Sequence, residues 1–82
     1  MVMKTIIYGP AAEKSLERIN ARDRVRIEER VEAYVLTGHG DIKAMKDVPL
    51  LRLRVGDYRV LFTEDLQVLD IFYIGHRREI YQ

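Results

Sequence analysis

The chain contains no cysteine and only two histidines, which excludes several kinds of site at the outset. Without cysteine there is neither a disulfide framework nor a cysteine metal site. His39 and His76 alone are too few for the usual ligand set of a structural zinc centre. We therefore expect neither a metal ion nor another cofactor.

Long apolar runs and a strong net charge are also missing. No apolar segment approaches the roughly 20 residues that cross a bilayer, and the first residues lack the pattern of a signal peptide. The sequence therefore predicts a cytoplasmic protein with no membrane partner. Because 14 lysines and arginines balance 13 acidic residues, the formal net charge is only +1. Any anion site must therefore come from local clustering of cations, not from overall charge.

Eighty-two residues, without internal repeats or a linker, predict a single domain spanning 1–82. Its first half has the pattern of one β-branched strand and two helices: strand Met3–Tyr8, helix Pro10–Ile19 and helix Ala21–Leu36. Asn20 is the expected N-cap of the second helix and Gly38 its expected end. The arginines on the outer face of this helix are interleaved with acids, which indicates a solvated, locally paired face. The alternative is a second phosphate-contacting ridge formed by Arg22, Arg24, Arg26 and Arg30.

The second half predicts a connector followed by three strands: connector His39–Pro49 and strands Leu50–Val55, Tyr58–Thr63 and Val68–Ile74. The last strand is apolar almost throughout, so we expect it to be central and covered on both faces. Helices segregated from a small, mostly antiparallel sheet in the order β-α-α-β-β-β make an α+β fold.

The stretch Leu51–Arg59 organises the chain, since apolar and cationic residues alternate along it up to the turn at Gly56-Asp57. Alternation puts Leu51, Leu53 and Val55 on the face that the helices cover. A two-residue turn pairs Arg54 with Arg59 and gathers three arginines on the open face: Arg52, Arg54 and Arg59. Like charges paired across strands are destabilising, so this face predicts an anionic partner, and the arginine fork matches phosphate oxygens. The alternative is a solvated strand face paired with the chain's own carboxylates, with Asp70 as a candidate partner.

The run Gly75–Tyr81 follows the last strand directly and brings an imidazole, two guanidiniums, a carboxylate and a phenol together. It is either a frayed polar tail or part of a site, and the apolar Ile80 and Tyr81 favour docking. The hairpin Arg-Leu-Arg-Val-Gly-Asp-Tyr-Arg-Val followed by Ile-Gly-His-Arg-Arg-Glu-Ile-Tyr resembles the RelE/ParE superfamily of bacterial and archaeal toxins, on the RelE side. The element order and the chain length match the RelE-like microbial RNase fold as well.

The resemblance implies a toxin of a type II toxin–antitoxin system that enters the ribosomal A site and cuts messenger RNA. In that reaction the 2′-hydroxyl of the RNA attacks the adjacent phosphate. The implied catalytic residues are Arg59, Arg77 and Tyr81, with His76 as a second candidate for proton transfer. The implied RNA- or phosphate-binding residues are Arg52, Arg54, Arg78, Lys43 and Lys46. Family members often have lysines where this chain has Arg52 and Arg54, and arginine is a poor general base.

The resemblance also implies partners: the ribosome, messenger RNA and a cognate RelB-like antitoxin, an acidic protein that wraps the toxin in a hetero-oligomer. Two alternatives remain open at this point. ParE-type relatives share the fold but poison DNA gyrase, and a catalytically degenerate member would only bind its antitoxin.

Overall fold

The computed structural model of the chain describes residues 4–79. Met3, the expected start of the first strand, and Tyr81, the expected catalytic phenol, lie outside this part of the chain. Two helices and five strands follow in the order β1 (Thr5–Tyr8), α1 (Pro10–Arg18), α2 (Ala21–Thr37), β2 (Ile42–Ala44), β3 (Leu51–Val55), β4 (Tyr58–Glu64) and β5 (Val68–His76). Neither helix is long and apolar enough to cross a membrane, as far as residues 4–79 show.

The strands form one sheet in the order β1-β5-β4-β3-β2, with only the β1–β5 pair parallel. The α+β fold with two helices packed on a mostly antiparallel sheet is therefore confirmed. The sheet contains one strand more than expected, because the connector includes the short edge strand β2. Three residues between turn signals are too few to show a strand pattern, and their pairing with β3 is a tertiary contact.

Local sequence explains where both helices begin and end. Pro10 occupies the first position of α1, where its missing N–H costs nothing. Asn20 caps α2 through its side-chain oxygen, which accepts a hydrogen bond from the backbone N–H of Asp23 at 2.9 Å. Gly38 ends α2 in the left-handed conformation at φ 75°.

The hydrophobic core lies between the two helices and one face of the sheet. Its helical members are Ala12, Leu16, Ile27 and Val31, and its sheet members are Leu53, Val55, Val60, Phe62, Leu69, Ile71 and Ile74. The expected packing of the helices on the Leu53 and Val55 side of the hairpin is confirmed. The other face of the sheet carries no helix among the described residues.

The hairpin has the expected register, with Val55 opposite Tyr58, Arg54 opposite Arg59 and Leu53 opposite Val60. Gly56 makes the turn at φ 59°, a conformation that side chains with a Cβ rarely adopt.

Strand β5 differs from expectation in two ways. It continues through Gly75 and His76, which pair with Arg59 and Tyr58. It is also internal in the sheet but covered on one face only, since Phe72 is 51% exposed. A register shift opposite Leu61 and Phe62 leaves Phe72 without a partner residue on β4. The expectation of cover on both faces was therefore wrong, because an apolar run cannot distinguish a buried face from an exposed apolar one.

Candidate functional site

The uncovered face of the sheet carries a cluster of cations that comes from three neighbouring strands. We call it the cationic face and define it by Lys43, Arg52, Arg54 and Arg59. Lys43 lies opposite Arg52 across β2 and β3, and Arg54 lies opposite Arg59 across β3 and β4. Directly opposite residues are about 5 Å apart at Cβ, so the four positions form one patch.

Arg59 lies among several other positive charges. Its Nη1 donates hydrogen bonds to the backbone carbonyls of Gly56 at 2.9 Å and Tyr58 at 3.1 Å. Partial burial lowers the pKa of Arg59, and the charges of Arg54, Arg52 and Arg77 lower it further, while Asp57 opposes the shift. Three other guanidiniums thus act on the charge of Arg59. An anion placed there would relieve their mutual repulsion.

Two carboxylates from turns contact the cluster at its rim. Asp41 Oδ2 lies 3.9 Å from Arg54 Nε, and Asp57 Oδ1 lies 3.7 Å from Arg77 Nε. More than half of each side chain is exposed, so water screens both ion pairs and each contributes little to stability. Asp70, the candidate partner from the sequence, lies on β5 opposite Thr63, far along the strand from Gly75.

The segment after β5 is attached to the hairpin turn. The backbone N–H of Arg77 donates to the carbonyl of Asp57 at 2.6 Å. Glu79 closes the turn that follows, because its Oε1 accepts from the backbone N–H of His76 at 2.8 Å. Its own N–H donates to the His76 carbonyl at 2.8 Å. Arg77 therefore lies close enough to Arg59 for its charge to contribute to the lowered pKa of Arg59.

His76 lies on the other side of the sheet. It is opposite Tyr58, and the two rings meet edge to face with centroids 5.8 Å apart. The ring Nδ1 accepts a hydrogen bond from the backbone N–H of Arg78 at 3.3 Å. His76 borders a cleft of about 240 Å³ between β5 and the end of α1, lined also by Ser15, Arg18 and Ile19. The structure does not bring His76 together with the cationic face.

Tyr58 is held on that same side by α2. Its hydroxyl donates to Asp23 Oδ2 at 3.1 Å. Burial raises the pKa of Tyr58, and the hydrogen bond to the Asp23 carboxylate raises it further. Tyr58 is therefore a neutral donor that supports the ring of His76.

The remaining expected binding residues lie at the margins. Lys43 belongs to the cationic face, whereas Lys46 lies in the loop after β2, where both lysines line an open cleft of about 620 Å³. Arg78 is exposed in the turn after β5. Tyr81 is outside the described residues. Within residues 4–79 no group of three or more acidic or histidine side chains is arranged to hold a metal ion.

Sequence reasoning missed two contributors to this region. The turn residue Asp57 links the hairpin to Arg77 through both its carbonyl and its carboxylate. Phe72 is a half-exposed aromatic residue at the register shift of β5, two strands away from Arg52. Strand alternation identifies neither residue. Asp57 acts partly through its backbone carbonyl, and Phe72 lies at a register shift where the alternation breaks.

The chain was compared with known proteins at the levels of sequence family and structure. The family model described as the ParE toxin of the type II toxin–antitoxin system, parDE, matches residues 6–81. No curated protein sequence matches the chain.

Solved toxin–antitoxin complexes contain chains of similar structure. The RelBE2 complex from Mycobacterium tuberculosis gives a TM-score of 0.80 at 21% identity and covers 94% of both chains. The archaeal RelE–RelB complex from Pyrococcus horikoshii OT3 gives 0.78 at 18% identity, over 96% of this chain and 100% of that chain. The RelB–RelE antitoxin–toxin complex from Methanococcus jannaschii gives 0.74 at 25% identity, over 92% and 94%.

The resemblance found in the hairpin and the C-terminal run is thus confirmed by a match over nearly the whole chain and by a shared fold. At these identities the structural likeness to the first two complexes shows the fold alone. The family match shows more: the chain belongs to the ParE toxin family of type II toxin–antitoxin systems, within the RelE/ParE superfamily.

Proposed function

We propose that this toxin is a ribosome-dependent endoribonuclease that cuts messenger RNA in the A site. One observation supports the proposal most directly: Arg52, Arg54 and Arg59 share the open face of one hairpin, and the backbone of Arg77 is hydrogen-bonded to the turn of that hairpin. The scissile group of an RNA is a phosphate diester whose negative charge increases towards the transition state. Fixed cations directed at developing charge are usually the largest single contribution to catalysis.

In the proposed reaction the 2′-oxygen forms a bond to phosphorus while the bond from phosphorus to the 5′-oxygen breaks. The 2′-hydroxyl proton goes to a base, and the leaving 5′-oxygen takes up a proton from an acid. The products are a 2′,3′-cyclic phosphate and a 5′-hydroxyl, and no water is consumed. Arg59 and Arg77 neutralise the non-bridging oxygens, and Arg52 and Arg54 bind the flanking backbone.

Proton transfer needs a group that arginine cannot supply. We assign it to Tyr81, whose pKa the neighbouring cations would lower if it reaches the cationic face. His76 remains the second candidate, but its position opposite Tyr58 favours a role in packing and hydrogen bonding. With so few acid–base groups, we expect the isolated toxin to cut poorly and the ribosome to supply the missing contribution.

Primer extension on a translated message tests the proposal. We expect wild-type toxin to cut at defined codon positions, and both Arg59→Ala and Tyr81→Phe to weaken the cuts by about a hundredfold or more. Arg30→Ala on the exposed face of α2 is the matched arginine control and should cut like the wild type. An intact message after wild-type expression, despite growth arrest, would contradict the proposal.

Inhibition of DNA gyrase is the second candidate, because the matching family model is the one described for ParE toxins. It predicts growth arrest with intact messages and with loss of gyrase supercoiling activity in the presence of the purified toxin. A member that only binds its antitoxin predicts neither arrest nor cleavage. Supercoiling and primer extension assays on the same preparation distinguish the three functions.

We further propose that the toxin pairs with an acidic antitoxin in a hetero-oligomer. The structural relatives are toxins solved with RelB-type antitoxins, and the cationic face offers the complementary charge. The antitoxin would cover this face or displace the segment that begins at Arg77. Wrapping by a partly disordered chain suits so small a toxin, since it contacts a large surface. A complex in which Arg54 and Arg59 stay as reactive towards a guanidine-modifying reagent as in the free toxin would contradict this.

A further inference from the structure

An apolar patch adjoins the cationic face on the same side of the sheet. Leu61 on β4 lies opposite Arg52 on β3 and opposite Tyr73 on β5. A single row of residues across three strands therefore joins a cation to an aromatic residue. Phe72 precedes Tyr73 at the register shift and is 51% exposed. Ile7, on the neighbouring strand β1, lies opposite Asp70 and is 45% exposed.

Phe72 contributes little to the core. The residues beside it that face the helices, Ile71 and Ile74, are 1% exposed each, so the core is complete without the Phe72 ring. Six large apolar residues are exposed among the described ones, and Phe72 is their only aromatic member. An exposed aromatic ring in the body of a sheet, not in a loop, presents a rigid flat surface to whatever occupies this face.

The neighbouring charges indicate the occupant. Strands are about 4.8 Å apart, so Arg52 on β3 and the aromatic residues on β5 are separated by roughly 10 Å across Leu61. That separation is comparable to the reach of a nucleotide from its base to a neighbouring phosphate. Proteins that bind single-stranded RNA combine a positive groove for the backbone with aromatic side chains on which bases stack. Both elements occur here in one row of the sheet.

We propose that Phe72 is a stacking platform for an unpaired RNA base whose neighbouring phosphate lies on the cationic face. Leu61, which lies opposite Arg52, forms the floor between the base and the phosphate. The inference rests on the proposed function, because it names the part of the substrate that lies outside the scissile phosphate. Stacking needs no hydrogen bonds to base edges, so the platform accepts any base and prefers purines, which have the larger π-surface.

Binding of a non-cleavable probe tests the platform separately from catalysis. The probe is a fluorescent single-stranded 2′-O-methyl RNA of about eight nucleotides, measured by anisotropy with the full-length toxin at low salt. We expect Phe72→Leu to weaken binding about tenfold without changing its salt dependence, because apolar bulk remains while the ring is lost. Phe72→Trp should restore or strengthen binding. Leu66→Ala, at an 83% exposed apolar position in the β4–β5 turn, should bind like the wild type.

A second probe separates stacking from other effects of Phe72. With abasic nucleotides in place of the bases, wild type and Phe72→Leu should bind equally and weakly. Equal binding of the intact probe by the two proteins would overturn the platform, as would failure of wild type to bind any RNA. If Phe72→Leu instead weakens only the complex with the antitoxin, the patch is a protein-binding surface and the proposal is wrong. If messages stay intact while Phe72-dependent stacking is present, the nuclease proposal fails and the platform stands.

Discussion

The backbone N–H of Arg77 donates to the carbonyl of Asp57 at 2.6 Å, which attaches the segment after the last strand to the turn of the arginine hairpin. This hydrogen bond joins two parts of the proposed site that lie 20 residues apart in the sequence. The conformation of the turn decides where Arg77 lies relative to Arg59. Gly56 sets that conformation at φ 59°.

Gly56→Ala should therefore impair activity through the turn. A Cβ at residue 56 would lie 3.0 Å from Nη1 of Arg26, so the end of that flexible side chain must shift slightly. The left-handed conformation alone costs roughly 1–2 kcal/mol of folding free energy. We expect thermal unfolding at lower temperature and cleavage reduced about tenfold or more, because small displacements of catalytic groups are costly.

Gly38→Ala is the matched control for this prediction. Gly38 has φ 75°, and a Cβ there would meet nothing within 4 Å. The Gly38→Ala variant should lose about as much folding free energy as Gly56→Ala, but each folded molecule should cleave RNA like the wild type. Equal loss of cleavage in the two variants would mean that stability, not the turn, explains the effect.

The hairpin was predictable from sequence because its determinants are local. The alternation from Leu51 to Val55 and the glycine turn fix register and faces without help from the rest of the fold. The position of the segment after β5 was not predictable, since it depends on a carbonyl in a distant turn. Edge strand β2 was not predicted for the same reason, because Ile42 pairs with Leu53 only in the folded sheet.

RNA binding should lose one electrostatic contact when Arg54 is neutralised. Arg54 is exposed on the cationic face, and its ion pair with Asp41 is long, at 3.9 Å from Nε to Oδ2. For single-stranded RNA each lost phosphate contact reduces the slope of log affinity against log salt by about 0.7. We expect Arg54→Gln to reduce this slope by about 0.7, as measured by anisotropy with the non-cleavable probe between low and physiological salt.

Arg30→Gln serves as the control, since Arg30 is exposed on α2, away from the cationic face. It should leave the slope unchanged. A reduced slope in this variant would support the alternative that the arginines of α2 form a second phosphate-contacting ridge.

His76→Asn distinguishes a positioning role from proton transfer. Nδ1 of His76 accepts from the backbone N–H of Arg78, and an asparagine carbonyl can accept in its place. We expect His76→Asn to keep cleavage within about threefold of wild type and to leave its pH profile unchanged. A general acid or base would instead contribute roughly 10²–10⁴-fold. Loss on that scale in His76→Asn, with a missing limb in the pH profile, would make His76 catalytic.

The faces of β5 show why the site was only partly predictable. The sequence run Val68–Ile74 is apolar at both in-facing and out-facing positions, so hydrophobicity alone indicated burial on both sides. The structure buries Ile71 and Ile74 and leaves Phe72 half exposed. The predicted strand ended at Ile74, so strand alternation could not assign His76 to either face of the sheet. Its pairing with Tyr58 continues the ladder and places the His76 side chain on the side of the sheet opposite the cationic face.

Glu64 should make stability depend on pH in the acid range. Lys4 and the hydroxyl of Tyr34 both donate to its carboxylate, which links the residues before β1, α2 and the end of β4. Burial would raise the pKa of Glu64, but these two hydrogen bonds lower it below the ordinary value of 4.5. Burial and the same hydrogen bond raise the pKa of Tyr34 to about 12, so the phenol remains a donor throughout.

A carboxyl whose folded pKa is lowered contributes stability above its unfolded pKa and loses it as pH falls through the folded value. We therefore expect urea denaturation to show Glu64→Gln less stable than wild type by about 1–2 kcal/mol near neutral pH. The difference should narrow as the pH falls below 4.5. Glu29→Gln, at an exposed position of α2, should follow the wild type at every pH. A constant difference between wild type and Glu64→Gln down to acid pH would mean that the charge of Glu64 does not contribute to the network.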